Sequence, residues 1–427
     1  MIADEIAFDK VTEDVHGYCD DRNSMVDNPR GRPVERPFAF RNPHCISPDY
    51  VVYLNVSMPA NAEKVRQCML RVGMLTSGGD CQALNATMRG VAKTLYQSKE
   101  KVEIYGFLEG YRGLMYGNFR KMKPSDFSGI LTIGGTILGT SRTPFKLINE
   151  PDENGLNKVE AMKKTYRDLN LDALVVLGGN GSLKTANLLS NEGLNVIGLP
   201  KTIDNDVWGT DVTFGFQSAI DVATNAIDMI HTTAASHGRV FVVEVMGHKV
   251  GWLTLYAGMA SGADIILIPE IPYDIDKVID ALKERTKAGK GFSIIAVAEG
   301  AISKEVADLP KKEKKAELAA RAAKYPSVAY EVSAAILERG GQEVRVTVPG
   351  HMQRGGAPCA YDRVLSSRLG AAAGELILKK NFGHLVCMVN GETTPVPLSE
   401  IAGKLKVIEP DCSMIREAKA MGICFGD

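Results

Sequence analysis

Asn195-Val196-Ile197-Gly198-Leu199 runs directly into Pro200-Lys201-Thr202-Ile203-Asp204-Asn205-Asp206. The first part is a short apolar run of strand length, which reads as a buried parallel strand. Two carboxylates two residues apart, just past a strand's carboxyl end, stand where open α/β sheets place their ligands. One can face a substrate hydroxyl while the other faces a metal or a phosphate. Taken alone, the stretch reads more simply as a polar loop with turn-forming Asp and Asn. Its neighbours in the chain reverse that reading.

Upstream, Leu70 to Thr76 is an apolar strand running into Ser77-Gly78-Gly79-Asp80 and then a helix with Leu84, Met88 and Val91 on one face. A strand, a glycine turn and a helix N-terminus make an anion site, because free N–H groups and the helix dipole both favour phosphate. The strand Val102 to Phe107 leads to the loop Glu109 to Gly113, and a third glycine-rich loop follows at Gly134 to Arg142. Arg142, after glycines and hydroxyls, suits charge-assisted contact with phosphate oxygens. Ala173 to Leu177 is a strand ending in Gly178-Gly179-Asn180-Gly181-Ser182, which opens a helix predicted over Leu183 to Leu189. Four strand-to-glycine-loop junctions in one half of a chain exceed what turn chemistry alone explains, and point to phosphate.

Downstream the alternation of strand and helix continues. A helix is predicted over Gln217 to His231, and strands over Val240 to Val245, Asp264 to Pro269 and Ser293 to Ala298. Lys311 to Lys324 is a charge run on a helical pattern, read as a solvated face. Residues 342–356 alternate as a strand and then enter a basic, glycine-ended loop.

At 427 residues the chain exceeds the usual single core, so two domains are expected. A formal net charge of -1 argues against nucleic-acid or membrane-surface binding through bulk charge. No run of 18 apolar residues occurs, which excludes a helical span by that measure. The eight cysteines form no CxxC pair and read as reduced cytosolic thiols. Residues 1–68 are rich in breakers and weak in periodicity, hence predicted to be a loosely ordered extension: a regulatory arm, a subunit strap, or sequence ahead of a start near Met58 or Met69. Neither a signal peptide nor an acylation signal is recognisable there.

Phosphoryl transfer needs positioning and charge neutralisation more than covalent chemistry. Asp204 is the candidate base, and Asp206 a candidate for orienting or metal-linked charge. Gly79, Arg142 and Gly178 to Ser182 are read at strand ends of the first half; Arg239, His248, Glu299, Arg345, His351 and Arg354 at strand ends or loops of the second. A second phosphate, distant from the reaction, accounts for those second-half cations, although each has a bland alternative as a surface ion pair or solvated histidine. Met246 at a strand end has a core reading.

Together, Leu75 to Asp80, Gly134 to Arg142, Gly178 to Ser182, Pro200 to Asp206, Val243 to Gly247 and Gly350 to Gly356 resemble, in order, the motifs of the phosphofructokinases across residues 70–427. The resemblance implies two Rossmann-like three-layer αβα domains with parallel-rich sheets. It implies a nucleotide-binding domain over 69–215 plus about 353–403, and a fructose 6-phosphate domain over 216–352 plus about 404–427. The implied reaction is the glycolytic transfer of the ATP γ-phosphoryl group to the 1-hydroxyl of fructose 6-phosphate, with Mg2+, in the cytoplasm. Carried over residue by residue, Asp204 resembles the base, with Thr202 and Asp206 beside the transferred phosphate. Asn180 and Asp206 match the metal positions. Gly79, Arg142, Thr143, Gly179, Asn180, Gly181 and Ser182 match the nucleotide positions. Met246, Gly247, His248, Glu299, His351 and Arg354, together with Thr202 and Asp204, match sugar-phosphate positions. Arg239 and Arg345 match arginines supplied by a neighbouring subunit, which implies a homotetramer or homodimer.

Three departures from the family pattern stand out. Gln82-Ala83 replace Pro-Gly, Asn180 replaces a magnesium-linked aspartate, and His248 replaces an arginine, making its contact pH-dependent. The phosphoryl donor is decided by two positions that pull apart. Gly181 leaves room for the rest of ATP, where an aspartate marks pyrophosphate users; Lys201 stands where ATP enzymes usually have glycine and pyrophosphate enzymes lysine. The pair resembles a mixed subgroup whose glycine-bearing members use ATP. Steric exclusion is harder to evade than a flexible cation, so Gly181 carries more weight. The rival readings are a reversible pyrophosphate-dependent enzyme and a regulatory subunit that binds sugar phosphate. NAD and lipid kinases share the Gly-Gly-Asp loop but lack the Pro200–Asp206 and Gly350–Gly356 pairing.

Overall fold

The apolar runs become the inner strands of two sheets in the computed structural model, which describes residues 69–340 and 342–427. The expected extension over residues 1–68 lies outside the described residues. In chain order the strands are β1 (Met69–Ser77), β2 (Lys101–Phe107), β3 (Phe119–Met122), β4 (Ala173–Gly178), β5 (Val196–Pro200), β6 (Val240–Val245), β7 (Ile265–Leu267), β8 (Ser293–Ala298), β9 (Val344–Thr347), β10 (His384–Val389) and β11 (Glu392–Pro397). The first sheet runs β11-β10-β5-β4-β1-β2-β3 and the second β7-β8-β6-β9. The second is parallel throughout, and the first is parallel except where β3 and β11 close its edges as antiparallel strands.

Both sheets are covered on both faces, and the period-2 alternation of each strand decides what meets what. Along β4, Leu174 and Val176 join Leu183, Ala186 and Leu189 of the Asn180–Asn191 helix. Val175 and Leu177 turn the other way, into a core with Met88 and Val91 of the Leu84–Tyr96 helix and Leu369 and Ala373 of the Ala360–Leu378 helix. Along β8, Ile294 and Ala296 enter that same core, whereas Ile295 and Val297 pack against Ile279, Val332 and Ile336. One apolar core is therefore continuous from sheet to sheet. The fold is α/β with parallel-rich sheets, as expected.

Two long helices lock the late chain onto the first sheet. The Ala360–Leu378 helix crosses the Leu84–Tyr96 helix so closely that a Cβ at Gly370 would stand 2.5 Å from the Thr87 carbonyl. Only a residue without a side chain permits that approach.

Several expected boundaries move. The Gly134–Arg142 loop does not follow a strand: β3 stops at Met122, and 3₁₀ turns at Pro124–Phe127 and Ile130–Thr132 intervene. The loop is pinned instead by Asn85, whose amide donates to Ile133 O (2.9 Å) and accepts from Ile137 N (2.9 Å). The helix expected over Leu183 to Leu189 begins at Asn180, so three of the five residues of the fourth glycine loop are helix. The one expected to end at His231 runs Phe216–His237, to the left-handed Gly238. Its N-terminus is capped by the buried Asp362, which accepts from Gly215 N (3.1 Å), Ser218 N (2.8 Å) and Ser218 Oγ (2.6 Å). β7 is shorter than the expected Asp264 to Pro269, because Asp264 turns its carboxylate to Ile294 N and Arg285. The Lys311–Lys324 helix forms as expected and buries none of its residues. All five described cysteines are unpaired.

Candidate active site

The sheet order explains why distant glycine loops meet. β1, β4 and β5 are neighbours, and Ser77, Gly178 and Pro200 stand opposite one another in register. Their loops therefore leave the sheet from one row at its carboxyl edge, where helix N-termini offer free N–H groups. Gly78 takes a φ of 88°, a left-handed value that suits glycine. Its N–H donates to Ser141 O (3.0 Å) and its carbonyl accepts from Thr140 Oγ1 (2.7 Å), which brings the Gly134–Arg142 loop to the same place. Ser182 Oγ donates to Ser77 Oγ at 2.9 Å, joining the first and fourth loops. Beside them, a Cβ placed on Gly181 would meet open space.

The Pro200–Asp206 stretch crosses the end of this row. Asn180 Nδ2 donates to both Asp206 O and Asp206 Oδ2, each at 2.9 Å, while Lys406 N donates to Asp206 O from the far side (3.0 Å). Asp204 N donates to Thr202 Oγ1 (3.0 Å), and Asn205 turns through a φ of 53° so that its Oδ1 accepts from Thr213 N (3.1 Å). Asp204 has its pKa raised, first by burial and then by the Asp206 charge, and the opposing Arg354 and Lys201 do not offset them. Lys201 is buried and donates from Nζ to Gly79 O. Desolvation lowers its pKa despite the two nearby carboxylates, so burial wins over attraction here.

Asn180 Oδ1 and Asp204 Oδ1 are buried without a protein partner. Each such atom costs about 1–3 kcal/mol unless a ligand satisfies it. Oxygens of this kind, with the Asp206 carboxylate alongside, suit a hard divalent cation. Among the described residues no three His, Cys, Asp or Glu side chains gather as a metal cage. A cation held here would complete its shell from phosphate and water.

The second sheet adds a facing wall. After β6, Met246 is half-buried and Gly247 adopts a φ of 149°. Glu299, just beyond β8, accepts from Gly247 N (3.3 Å) and His248 N (2.6 Å), holding that loop from the adjacent strand end. His248 itself is exposed, with a φ of 53°. The 3₁₀ turn Gly350–Arg354 then carries Arg354 across to the first sheet's loop, where Nη1 donates to Asp80 O (2.9 Å). The turn also leaves His351 exposed.

Not every expected residue joins this group. Arg239 precedes β6, at the opposite end of the strand from Met246, about 20 Å away by strand rise. Arg345 is not at a strand end but within the edge strand β9, opposite Phe241. Both pair with the exposed Glu343. Arg142 is exposed beside the half-buried Thr143, next to the tethered Ser141.

Sequence reasoning missed two glutamines. Gln82, noted only as a departure, is fully buried, and Gln353 likewise. Gln353 Oε1 accepts from Met246 N (3.1 Å), tying the arginine-bearing turn to the sugar-side loop. For Gln82 the signal was an amide where proline was expected, since a buried amide must find partners.

Comparison with known proteins follows the same span. An ATP-dependent 6-phosphofructokinase from Spirochaeta thermophila is 55% identical over 362 residues, 83% of this chain and 97% of that protein. ATP-dependent 6-phosphofructokinase 3 of Bacteroides thetaiotaomicron is 43% identical over 363 residues, 84% of this chain and 100% of that protein. Among solved structures, Pichia pastoris phosphofructokinase in the T-state superposes with a TM-score of 0.67 at 33% identity. The match covers 78% of this chain and 35% of the longer yeast one. The family model described as Phosphofructokinase matches residues 71–377, so the chain belongs to the phosphofructokinase family.

Proposed function

We propose that the protein transfers the γ-phosphoryl group of ATP to the 1-hydroxyl of fructose 6-phosphate, the ATP-dependent 6-phosphofructokinase reaction of glycolysis. The observation that carries this reading is the convergence of Thr202, Asp204 and Asp206 with the Ser77–Asp80 and Gly179–Ser182 loops on one in-register row.

Asp204 takes the proton of the sugar 1-hydroxyl as that oxygen bonds to the γ-phosphorus and the bond to the ADP oxygen breaks. Its raised pKa brings the base nearer to the working pH than an ordinary carboxylate. Thr202 accepts from the Asp204 N–H and orients the segment. The nucleotide phosphates lie on the N–H groups of Gly79 and of Gly179, Asn180, Gly181 and Ser182, with Arg142 and Thr143 at the rim. Asn180 and Asp206 hold Mg2+, which when bound neutralises charge on the phosphates. Met246, Gly247, His248 and Glu299 hold the sugar, and His351 and Arg354 its phosphate side. In this reading the nucleotide domain is 69–215 plus about 353–403, and the sugar domain 216–352 plus about 404–427.

Arg239, before the start of β6, and Arg345, on the edge strand opposite Phe241, both lie away from the carboxyl-end loops of their own chain, which supports their acting on a neighbouring copy's sugar phosphate in a homotetramer or homodimer. This reading places the work in the cytoplasm; none of the described helices is long and apolar enough to cross a membrane.

A second donor has one observation in its favour: the buried cation of Lys201, bonded to Gly79 O where phosphate would lie. Initial rates with fructose 6-phosphate and Mg2+, comparing ATP with pyrophosphate, test the choice. Turnover with ATP alone is expected. Turnover with pyrophosphate alone assigns the reversible reaction, and sugar-phosphate binding without turnover a regulatory subunit.

A further inference from the structure

The Gln82 side chain holds the carbonyls of both residues next to Arg354. Its Nε2 donates to Gln353 O and to Gly355 O, each at 3.0 Å, so one amide grips the carbonyl before the arginine and the carbonyl after it. Gln82 and Gln353 are both fully buried, while Gln82 Oε1 has no protein partner. Burying that oxygen unbonded is a cost that an apolar residue would avoid. The arginine thus held donates from Nη1 to Asp80 O and keeps a buried Nε without a protein partner. A Cβ at Gly79 would stand 2.9 Å from Arg354 Nη1, so the guanidinium lies directly on the first glycine loop. The same turn is held on its other side by Gln353 Oε1, which accepts from Met246 N.

We infer that Gln82 is a positioning residue for Arg354, fixing the guanidinium between the glycine loop of the first sheet and the sugar-side loop of the second. This rests on the reading that Arg354 contacts the sugar phosphate or the moving phosphoryl group. Gln82 touches no substrate; it sets the backbone on both sides of the residue that does. An arginine held at one backbone site swings through several rotamers. With the carbonyls of both neighbours held, its Cα has one position, and the bond from Nη1 to Asp80 O then aims the guanidinium, the condition for acting on a charge that develops only during transfer.

The test is a double-mutant cycle on the full-length protein with fructose 6-phosphate, ATP and Mg2+. Gln82→Leu removes the donor, and Gln82→Met does so with a more adaptable shape, so that one folded variant serves if the other misfolds; circular dichroism and thermal unfolding report folding. The expected result is a kcat lowered about 10- to 100-fold with KM for ATP little changed. In an Arg354→Ala background the same substitution should change kcat by less than about twofold, because the group it positions is gone. A merely structural role would lower both backgrounds by one factor, and that result overturns the inference. So does an unchanged kcat in the folded Gln82 variants while Arg354→Ala is impaired. Full turnover by Arg354→Ala overturns the reading of Arg354 itself, and the positioning role with it.

Discussion

The two sheets contribute to the site in opposite ways. The first assembles everything at one edge of one chain: Ser77, Gly178 and Pro200 are in register, and the loops beyond them bond directly to each other. The second divides its contribution between its two ends. Met246, Gly247 and Glu299 lie at the carboxyl ends of β6 and β8, whereas Arg239 lies before β6, and Arg345 sits mid-strand on the edge. In the proposed reading, chemistry that must be held to fractions of an ångström sits within one chain, and charge that anchors a distant phosphate is left to an outer surface.

The largest effect should come from the first sheet's edge. Asp204→Asn removes the proposed base and should lower kcat by about 10²- to 10⁴-fold in steady-state assays. The same change should raise the melting temperature, by roughly 1–3 °C. A carboxylate whose folded pKa lies above its unfolded value costs stability wherever it is ionised, and that cost is relieved as pH falls through the folded value. A lower melting temperature would mean that Asp204 holds the fold together as well as the reaction.

Gly181→Asp tests the open space beside the fourth loop. It should leave the fold intact, since a Cβ there meets nothing, yet lower kcat/KM for ATP about 10²- to 10³-fold through like charge and bulk against the nucleotide. Pyrophosphate should suffer less; an equal loss for both donors would mean that Gly181 does not choose between them.

Arg239→Ala and Arg345→Ala should each raise KM for fructose 6-phosphate by about 10- to 100-fold with little change in kcat. The comparison sharpens if Arg239→Ala chains are reassembled with Asp204→Asn chains. At fructose 6-phosphate far below KM, where both parents are impaired, sites sharing residues across copies should recover about a quarter of wild-type turnover. No recovery would place the whole site within one chain.

The smallest effect concerns pH. The raised pKa of Asp204 should put the acid limb of kcat above the usual carboxylate value of about 4. A limb at or below that value would show that substrate or metal reverses the effect of burial.

Much of this was legible before any coordinates. The Asn195–Asp206 stretch could be read because an apolar run followed by paired carboxylates is a local pattern, and so could each glycine loop. What escaped was long-range. Gln82 and Gln353 come together only when the late chain folds back on the first sheet, which no local window contains. The start of the Asn180 helix escaped because glycine and asparagine are poor helix formers whose place in a first turn is decided by the strand before them. The position of Arg239 was available: a residue before a parallel strand lies at the end away from the site.

One consequence reaches beyond catalysis. β5 ends at Pro200, yet its partner β10 begins at His384, and the backbone that braces Asp206 comes from Lys406. A ribosome delivering this chain must make the second sheet before the first can close. Contacts this far apart in sequence fold slowly. The growing polypeptide therefore holds an open apolar strand edge until β10 emerges, exposing it to self-association, and braces Asp206 only once Lys406 has followed.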